Sequence, residues 1–148
     1  MPLTTIKNSQ ITDDTILDAD INSAAAIALS KIAKTTAATW TAGQRGEVTA
    51  LTSATTITID MADSNNFSVT LAHNATFANP SNDTAGQSGS IFITQDGTGS
   101  RTASWGTDWD WAAGTAPTLT TTAAAIDRVD YVIASATSIH AVAALDVK

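Results

Sequence analysis

The chain has 148 residues, of which 43% are hydrophobic, and a formal net charge of −7 at pH 7. Alanine and threonine dominate with 28 and 26 residues, so large apolar side chains are few and a threonine-rich β protein with a thin core is expected. Cysteine is absent, which excludes disulfides, thiolate zinc sites and cysteine nucleophiles. Seven basic against 14 acidic residues make nucleic acid an unfavourable partner. No apolar run approaches the roughly 18 residues of a membrane span, so no membrane partner is expected.

Isoleucine returns at every fifth position between Ile6 and Ile21, which matches neither the strand period nor the helix period. The residues between the isoleucines are mostly polar, so this segment cannot close a core alone. Each isoleucine can instead pack against a neighbouring protein surface, as in an extended arm. The alternative is that the segment is a disordered tail. The opening residues Met1–Thr5 lack the basic and apolar regions of a signal peptide, so secretion is not expected.

A short helix is predicted from Ala24 to Lys34. Asn22 or Ser23 can cap its first turn, alanine has the highest helix propensity, and two lysines lie near its negative end. A helix of this length is only marginally stable in isolation and needs to pack against a partner. We assign residues 1–39 to an arm that contains this helix and anchors the chain to a neighbouring subunit or to another protein. Its predicted contact residues are Ile6, Ile11, Ile16, Ile21, Ile27, Leu29 and Ile32.

Residues 40–148 are predicted to form one mainly β domain, because apolar and polar residues alternate there over short runs. The predicted strands are Glu47 to Leu51, Thr56 to Met61, Phe67 to Leu71, Ala75 to Ala78, Ser90 to Gln95, Arg101 to Trp105, Val129 to Ile133 and Ser138 to Val147. Short strands at regular spacing, separated by turn residues, favour an antiparallel β-sandwich or a jelly-roll-like domain. The predicted fold is therefore mainly β, with an extended N-terminal arm and one short helix before the sandwich.

The most unusual local feature is Asp108-Trp109-Asp110-Trp111, with Trp105 just before it. Two carboxylates among indoles could form a glycosidase or sugar-binding site, in which Trp109 and Trp111 stack on sugar rings. Alternation places both of these tryptophans on one side of an extended segment and both aspartates on the other, as a half-buried strand or loop edge requires. We therefore expect the tryptophans to fill the core, with Trp105 strongly buried. Glycan contact at Trp109 and Trp111 is the alternative.

Other candidate chemical sites are incomplete. Asp18–Asn22 opens like a calcium loop but lacks the glycine and the bidentate glutamate that follow in an EF-hand. His73 and His140 lie in separate strand regions, without metal-ligand spacing. Gly86–Gly89 is one residue short of a nucleophile elbow, and Gly97–Gly99 is predicted to be a hairpin turn, not a phosphate loop. We expect no enzyme activity, no metal, no cofactor and no small-molecule substrate.

Four stretches of the domain stand out together: Gly86–Gly97, Arg101–Trp105, Gly114–Leu119 and Asp127–Val132. They resemble a β-sandwich module of tailed-bacteriophage virion proteins. In the arm, Ile11–Ile16 and Ala26–Ile32 are similar to segments of phage tail fibres and other phage structural proteins. The resemblance spans nearly the whole chain and implies a virion component, and no catalytic residue comes with it.

Two functions follow from the resemblance. The first is a homotrimeric capsid decoration (cement) protein, which binds the major capsid protein and stabilises the shell. The second is a short tail-fibre or tail-tip protein that binds a host surface glycan. A depolymerase is disfavoured, since no enzyme motif is complete. The small size and the two-part organisation favour the first function, so we expect the chain at the capsid surface of the virion rather than in the tail.

Overall fold

The structure, a computed structural model, describes residues 43–148. Within it, Gln44–Lys148 form one compact unit. The predicted arm and helix, and the boundary predicted between residues 39 and 40, lie outside the described residues. The same is true of the predicted contact residues Ile6, Ile11, Ile16, Ile21, Ile27, Leu29 and Ile32.

Nine β-strands form the regular structure of the described part, which confirms a mainly β fold. They are β1 (Val48–Ala50), β2 (Thr56–Ile57), β3 (Asn66–Leu71), β4 (Ala75–Phe77), β5 (Ser88–Gln95), β6 (Ala103–Trp105), β7 (Trp109–Trp111), β8 (Ile126–Ser135) and β9 (Ser138–Ala144). Each of the eight predicted strands overlaps one of these. Strand β7 was not predicted, and a 3-10 turn at Ala112–Gly114 follows it.

The strands form two sheets in which parallel pairing prevails. The larger sheet has the order β1-β3-β5-β8-β9-β7, and the smaller sheet has the order β2-β4-β6. Five neighbouring pairs are parallel, and only β5 with β8 and β8 with β9 are antiparallel. The predicted antiparallel arrangement is therefore wrong for most of the described domain, whose sheets are mixed.

The path of the chain explains the parallel pairing. After each of β1, β3 and β5 the chain crosses to the smaller sheet, where it forms β2, β4 and β6 in turn. Successive strands of one sheet therefore run in the same direction. Antiparallel neighbours arise instead from hairpins such as the one joining β8 to β9. The turn at Gly97–Gly99 is accordingly not a hairpin turn, because it lies between β5 of the larger sheet and β6 of the smaller one.

The two sheets share one hydrophobic core. In the smaller sheet the parallel register places Ile57, Phe77 and Trp105 in one row. In the larger sheet Phe67 and Ile91 are register partners. Four of these five side chains are at most 1% exposed, and Trp105 is partly buried. Because successive side chains of a strand point to opposite faces, the residues between these point away from the core.

Two buried polar side chains, Gln95 and Asp127, fix the loops beside the larger sheet. Gln95 exchanges two hydrogen bonds of 2.9 Å with the backbone of Arg101. The Asp127 carboxylate accepts the backbone N–H of Thr120 at 2.7 Å and that of Asp146 at 2.8 Å. A buried polar group is costly unless it is paired, so these bonds hold the loop between β5 and β6, the loop after β7 and the segment after β9 in place.

Candidate functional site

The three tryptophans singled out from the sequence lie together and form an aromatic cluster with Phe77 and Tyr131. Trp105 stacks on Phe77 with ring centroids 4.5 Å apart and an interplanar angle of 13°. Trp105 also meets Trp109 at 5.0 Å and Trp111 at 4.8 Å, both edge to face. Trp109 in turn meets Tyr131 at 6.2 Å. Offset and edge-to-face pairs of this kind are favourable aromatic contacts, so we call these five residues the aromatic cluster.

A tight turn between β6 and β7 brings the tryptophans together. The backbone N–H of Gly106 donates to the carbonyl of Phe77 at 2.8 Å, and the N–H of Asp108 donates to Oδ1 of Asn79 at 3.1 Å. A Cβ on Gly106 would lie 2.0 Å from the same Asn79 oxygen, so the turn approaches Asn79 more closely than a larger residue allows. Asn79 therefore anchors the turn that places β7 beside β9, at the edge of the larger sheet.

The degree of burial differs among the three tryptophans. Trp109 is only 5% exposed, and its indole Nε1–H donates to the carbonyl of Ala78 at 3.2 Å. Trp105 and Trp111 are partly buried, so the prediction that Trp105 is strongly buried is wrong. The reason is position: Trp105 ends an edge strand of the smaller sheet, whereas Trp109 contacts both Trp105 of the smaller sheet and Tyr131 of the larger sheet. Trp109, which we expected to be core or a glycan contact, is core.

The two aspartates beside the tryptophans are held by different neighbours. Asp110 is exposed, and its carboxylate accepts the hydroxyl of Ser138 at 2.6 Å. Asp108 is partly buried and accepts the hydroxyl of Thr107 at 3.4 Å. Along β7 the exposed Asp110 lies between the more buried Trp109 and Trp111, as the alternation predicts.

A cleft of about 530 Å³ lies beside the aromatic cluster. Trp105 and Trp111 line it, together with Pro117 and Leu119 from the loop that follows β7. Within the described residues, the indole nitrogens of Trp105 and Trp111 are buried and have no hydrogen-bond partner. One face of Trp105 is already covered by Phe77, so that face cannot stack on a ligand in the cleft.

The two histidines do not form a site together. His73 is exposed in the turn between β3 and β4, and His140 is exposed on β9. Among residues 43–148, no group of three or more His, Cys, Asp or Glu side chains is placed to hold a metal ion. No helix in this same part of the chain is long and apolar enough to cross a membrane.

A second candidate surface, which the sequence analysis missed, is the face of the larger sheet that points away from the core. We call it the outer face. On β8 and β9 it carries Val132 and Val142, which are 51% and 65% exposed. The signal was present in the alternation, because Val132 lies between the buried Tyr131 and Ile133 and must therefore point outward.

A charged pair accompanies these valines on the outer face. Arg128 donates to the Asp130 carboxylate at 2.9 Å, and Ser90 donates to the same carboxylate at 2.6 Å. Partial burial acts to raise the pKa of Asp130, but the hydrogen bonds from Ser90 and Arg128 outweigh it and lower that pKa below its usual value. The outer face thus combines exposed valines with an ionised, internally balanced pair.

The phenol of Tyr131 gives the cluster a pH-dependent component. Tyr131 is 2% exposed, and its hydroxyl donates to the backbone carbonyl of Asn65 at 2.8 Å. Burial disfavours the phenolate and raises the pKa of Tyr131 from 10.0 to about 12. Between these two values the unfolded chain has lost the proton and the folded chain has kept it, so the stability present below pH 10 is lost as the pH rises toward 12.

We therefore expect the free energy of unfolding to fall by about 2–3 kcal/mol across this alkaline window because of Tyr131 alone. Urea unfolding measured at several pH values, with Tyr131→Phe as the control, isolates the effect. The Phe variant loses the hydrogen bond, at about 1 kcal/mol, and should show a correspondingly shallower alkaline decline. Equal slopes for the two proteins would show that the phenol does not titrate in this way.

Comparisons of the chain with protein-family models, with curated proteins and with solved structures found no match.

Proposed function

We propose that the chain is a non-enzymatic structural protein of a tailed-phage virion, and specifically a homotrimeric capsid decoration (cement) protein. In this proposal it binds the major capsid protein and stabilises the shell. The arm of residues 1–39 anchors it, and the domain of residues 40–148 projects from the capsid surface as the sandwich-like module that the resemblance implies. The residues that would contact the capsid or sister subunits are Ile6, Ile11, Ile16, Ile21, Ile27, Leu29 and Ile32.

The observation that carries the proposal is the distribution of exposed apolar side chains. In the described residues the exposed large hydrophobics are Val48, Ile126, Val132, Val142, Leu145 and Val147. All but Val48 fall between residues 126 and 147. Large apolar side chains concentrated in one region of a surface mark a contact with another macromolecule. A protein whose role is to assemble requires such a contact.

The stretches that carry the phage resemblance also meet in one part of the domain. Strand β5 pairs with β8, which places the stretch from Gly86 beside the stretch from Asp127. Asp127 binds the backbone of Thr120, just after the Gly114–Leu119 stretch, and Gln95 binds the backbone of Arg101. This proximity supports reading the stretches as parts of one module.

The alternative is a short tail-fibre or tail-tip protein that binds a host surface glycan. The cleft beside Trp105 and Trp111 supports it, because a tryptophan face is a common platform for sugar rings. Against it, Trp109 is buried and Trp105 has one face covered by Phe77. We therefore place this function second.

Counting bound copies per particle tests the proposal. Virions that carry the chain should contain hundreds of copies when peptides are quantified by mass spectrometry against the major capsid protein. Purified full-length chain should bind again to particles stripped of it, and a variant lacking residues 1–34 should not, because the deletion removes the proposed anchor. A few to a few dozen copies per virion would contradict the capsid assignment and favour the tail alternative. Full rebinding of the deletion variant would contradict the role of the arm.

A further inference from the structure

We infer that the outer face of the larger sheet is the surface through which copies of this chain contact one another, with Val132 and Val142 at its centre. The inference rests on the proposed function to the extent that it takes the chain to be an oligomeric assembly protein. Its partner is a second copy of the same chain.

The strand register shows how the exposed side chains are arranged. Neighbouring strands align their outward residues into rows that cross the sheet. The three central rows are Val48–Asn66–Ser90–Asp130–Val142, Ala50–Ser68–Phe92–Arg128–Ala144 and Ser88–Val132–His140–Asp110. The rows consist mainly of apolar and small neutral side chains, and the most exposed large one is Val142 at 65%. The outer face is therefore a continuous surface and not a scatter of single valines.

The charge of the outer face is better suited to contact with a second copy of the chain than to contact with a basic partner. The chain as a whole carries −7, yet the three rows hold only Arg128, Asp130 and Asp110 as charged residues, together with His140. Arg128 balances Asp130, so acidic copies can approach one another here without bringing much like charge together. A strongly basic partner would instead select a surface on which the acidic residues are concentrated.

The Arg128–Asp130 pair of one copy is also complementary in charge to the same pair of a second copy. Arg128 and Asp130 lie two residues apart on β8, and their side chains remain 41% and 42% exposed despite the ion pair between them. Every copy of the chain presents the same residues on this face, so both charges are available on each side of a contact between copies. An Arg128 of one copy can therefore meet the Asp130 of its neighbour, while the valines beside them lose contact with water.

The size of the face comes close to what such a contact needs. With about 3.3 Å per residue and about 4.8 Å between strands, the six strands of the larger sheet cover on the order of 600 Å². A stable interface buries about 800 Å² per partner. The outer face supplies most of that area by itself.

The first test measures the mass of the full chain by light scattering at micromolar concentration. We expect the wild type to be an oligomer and the double variant Val132→Asp/Val142→Asp to have the mass of a monomer. The matched control is Thr56→Asp, which places a carboxylate at an exposed β-branched position of the smaller sheet and should leave the oligomer intact. Thermal melting by circular dichroism verifies that both variants are folded.

The second test uses the charged pair and does not depend on the valine variant folding. Arg128→Asp alone and Asp130→Arg alone each leave two like charges on the face, so each variant should dissociate to a large extent. Mixing the two variants brings opposite charges together again and should yield oligomers that contain both chains, detected with one chain labelled. This rescue requires that the two residues meet across copies.

A monomeric wild type overturns the inference, and so does a Val132→Asp/Val142→Asp variant that keeps the wild-type mass. If the double variant does not fold, failure of the mixed charge variants to assemble overturns it instead. A double variant that stays oligomeric but no longer binds particles would assign the outer face to the major capsid protein, so that the self-contact is wrong and the proposed function stands. Monomeric wild type that still binds in hundreds of copies would overturn both the self-contact and the homotrimer, and would leave the capsid-decoration role standing.

Discussion

Replacement of Trp109 with alanine is expected to lower the free energy of unfolding by about 3–5 kcal/mol, as for other large buried aromatic residues. Trp109 is 5% exposed and contacts both Trp105 and Tyr131, so its removal leaves a cavity between the two sheets. The variant also loses the hydrogen bond from the indole to the carbonyl of Ala78. Equilibrium unfolding in urea, followed by circular dichroism, gives the difference directly.

Trp111→Ala is the matched control, because it removes the same side chain two residues further along β7. Trp111 is only partly buried, so we expect a clearly smaller loss than for Trp109. Equal stability of Trp109→Ala and the wild type would show that the aromatic cluster is not part of the core. Normal stability of Trp111→Ala with lost adsorption to host cells would favour the glycan-binding alternative.

The strands could be predicted because the alternation of apolar and polar residues indicates which face of a strand is buried. The partner of each strand could not, because alternation contains no information about the direction of the neighbour. Phe67–Leu71 has the same pattern whether its neighbours run parallel or antiparallel, and in the structure both of its neighbours are parallel. Strand β7 escaped prediction because it has only three residues and lies between a glycine turn and a 3-10 turn.

The candidate site could be predicted in part, again because alternation indicates which face of a strand is buried. The alternation in Asp108–Trp111 correctly places the tryptophans of β7 toward the core and Asp110 toward solvent. The burial of Trp105 depends on Phe77, which lies far away in the chain and becomes its neighbour only through the parallel pairing of β4 with β6. The outer face was missed because Tyr131-Val132-Ile133 reads as one apolar run, although its middle residue points away from the core.

A close backbone contact at Gly89 was equally invisible in the sequence. Gly89 lies on β5 opposite Tyr131, and the carbonyl of Asn65 passes directly over it. That carbonyl accepts both the phenol of Tyr131 at 2.8 Å and the backbone N–H of Ser90 at 3.2 Å. In the sequence, Gly89 ends an incomplete catalytic motif, whereas in the structure it is the position that lets the chain before β3 approach β5.

Gly89→Ala is therefore expected to destabilise the domain by about 3 kcal/mol or more, toward the upper end of the cost of overpacking. An added Cβ would lie 1.6 Å from the Asn65 carbonyl oxygen and 2.9 Å from the Tyr131 hydroxyl, so backbone and not only side chain must move. Gly97→Ala is the control, since a Cβ there has no atom within 4 Å and the variant should melt like the wild type. Thermal melting of both variants measures the contrast. If Gly89→Ala were as stable as Gly97→Ala, the approach of Asn65 to β5 would have to be looser than the structure shows, and the hydrogen bond from the Tyr131 hydroxyl to the Asn65 carbonyl would lose its support.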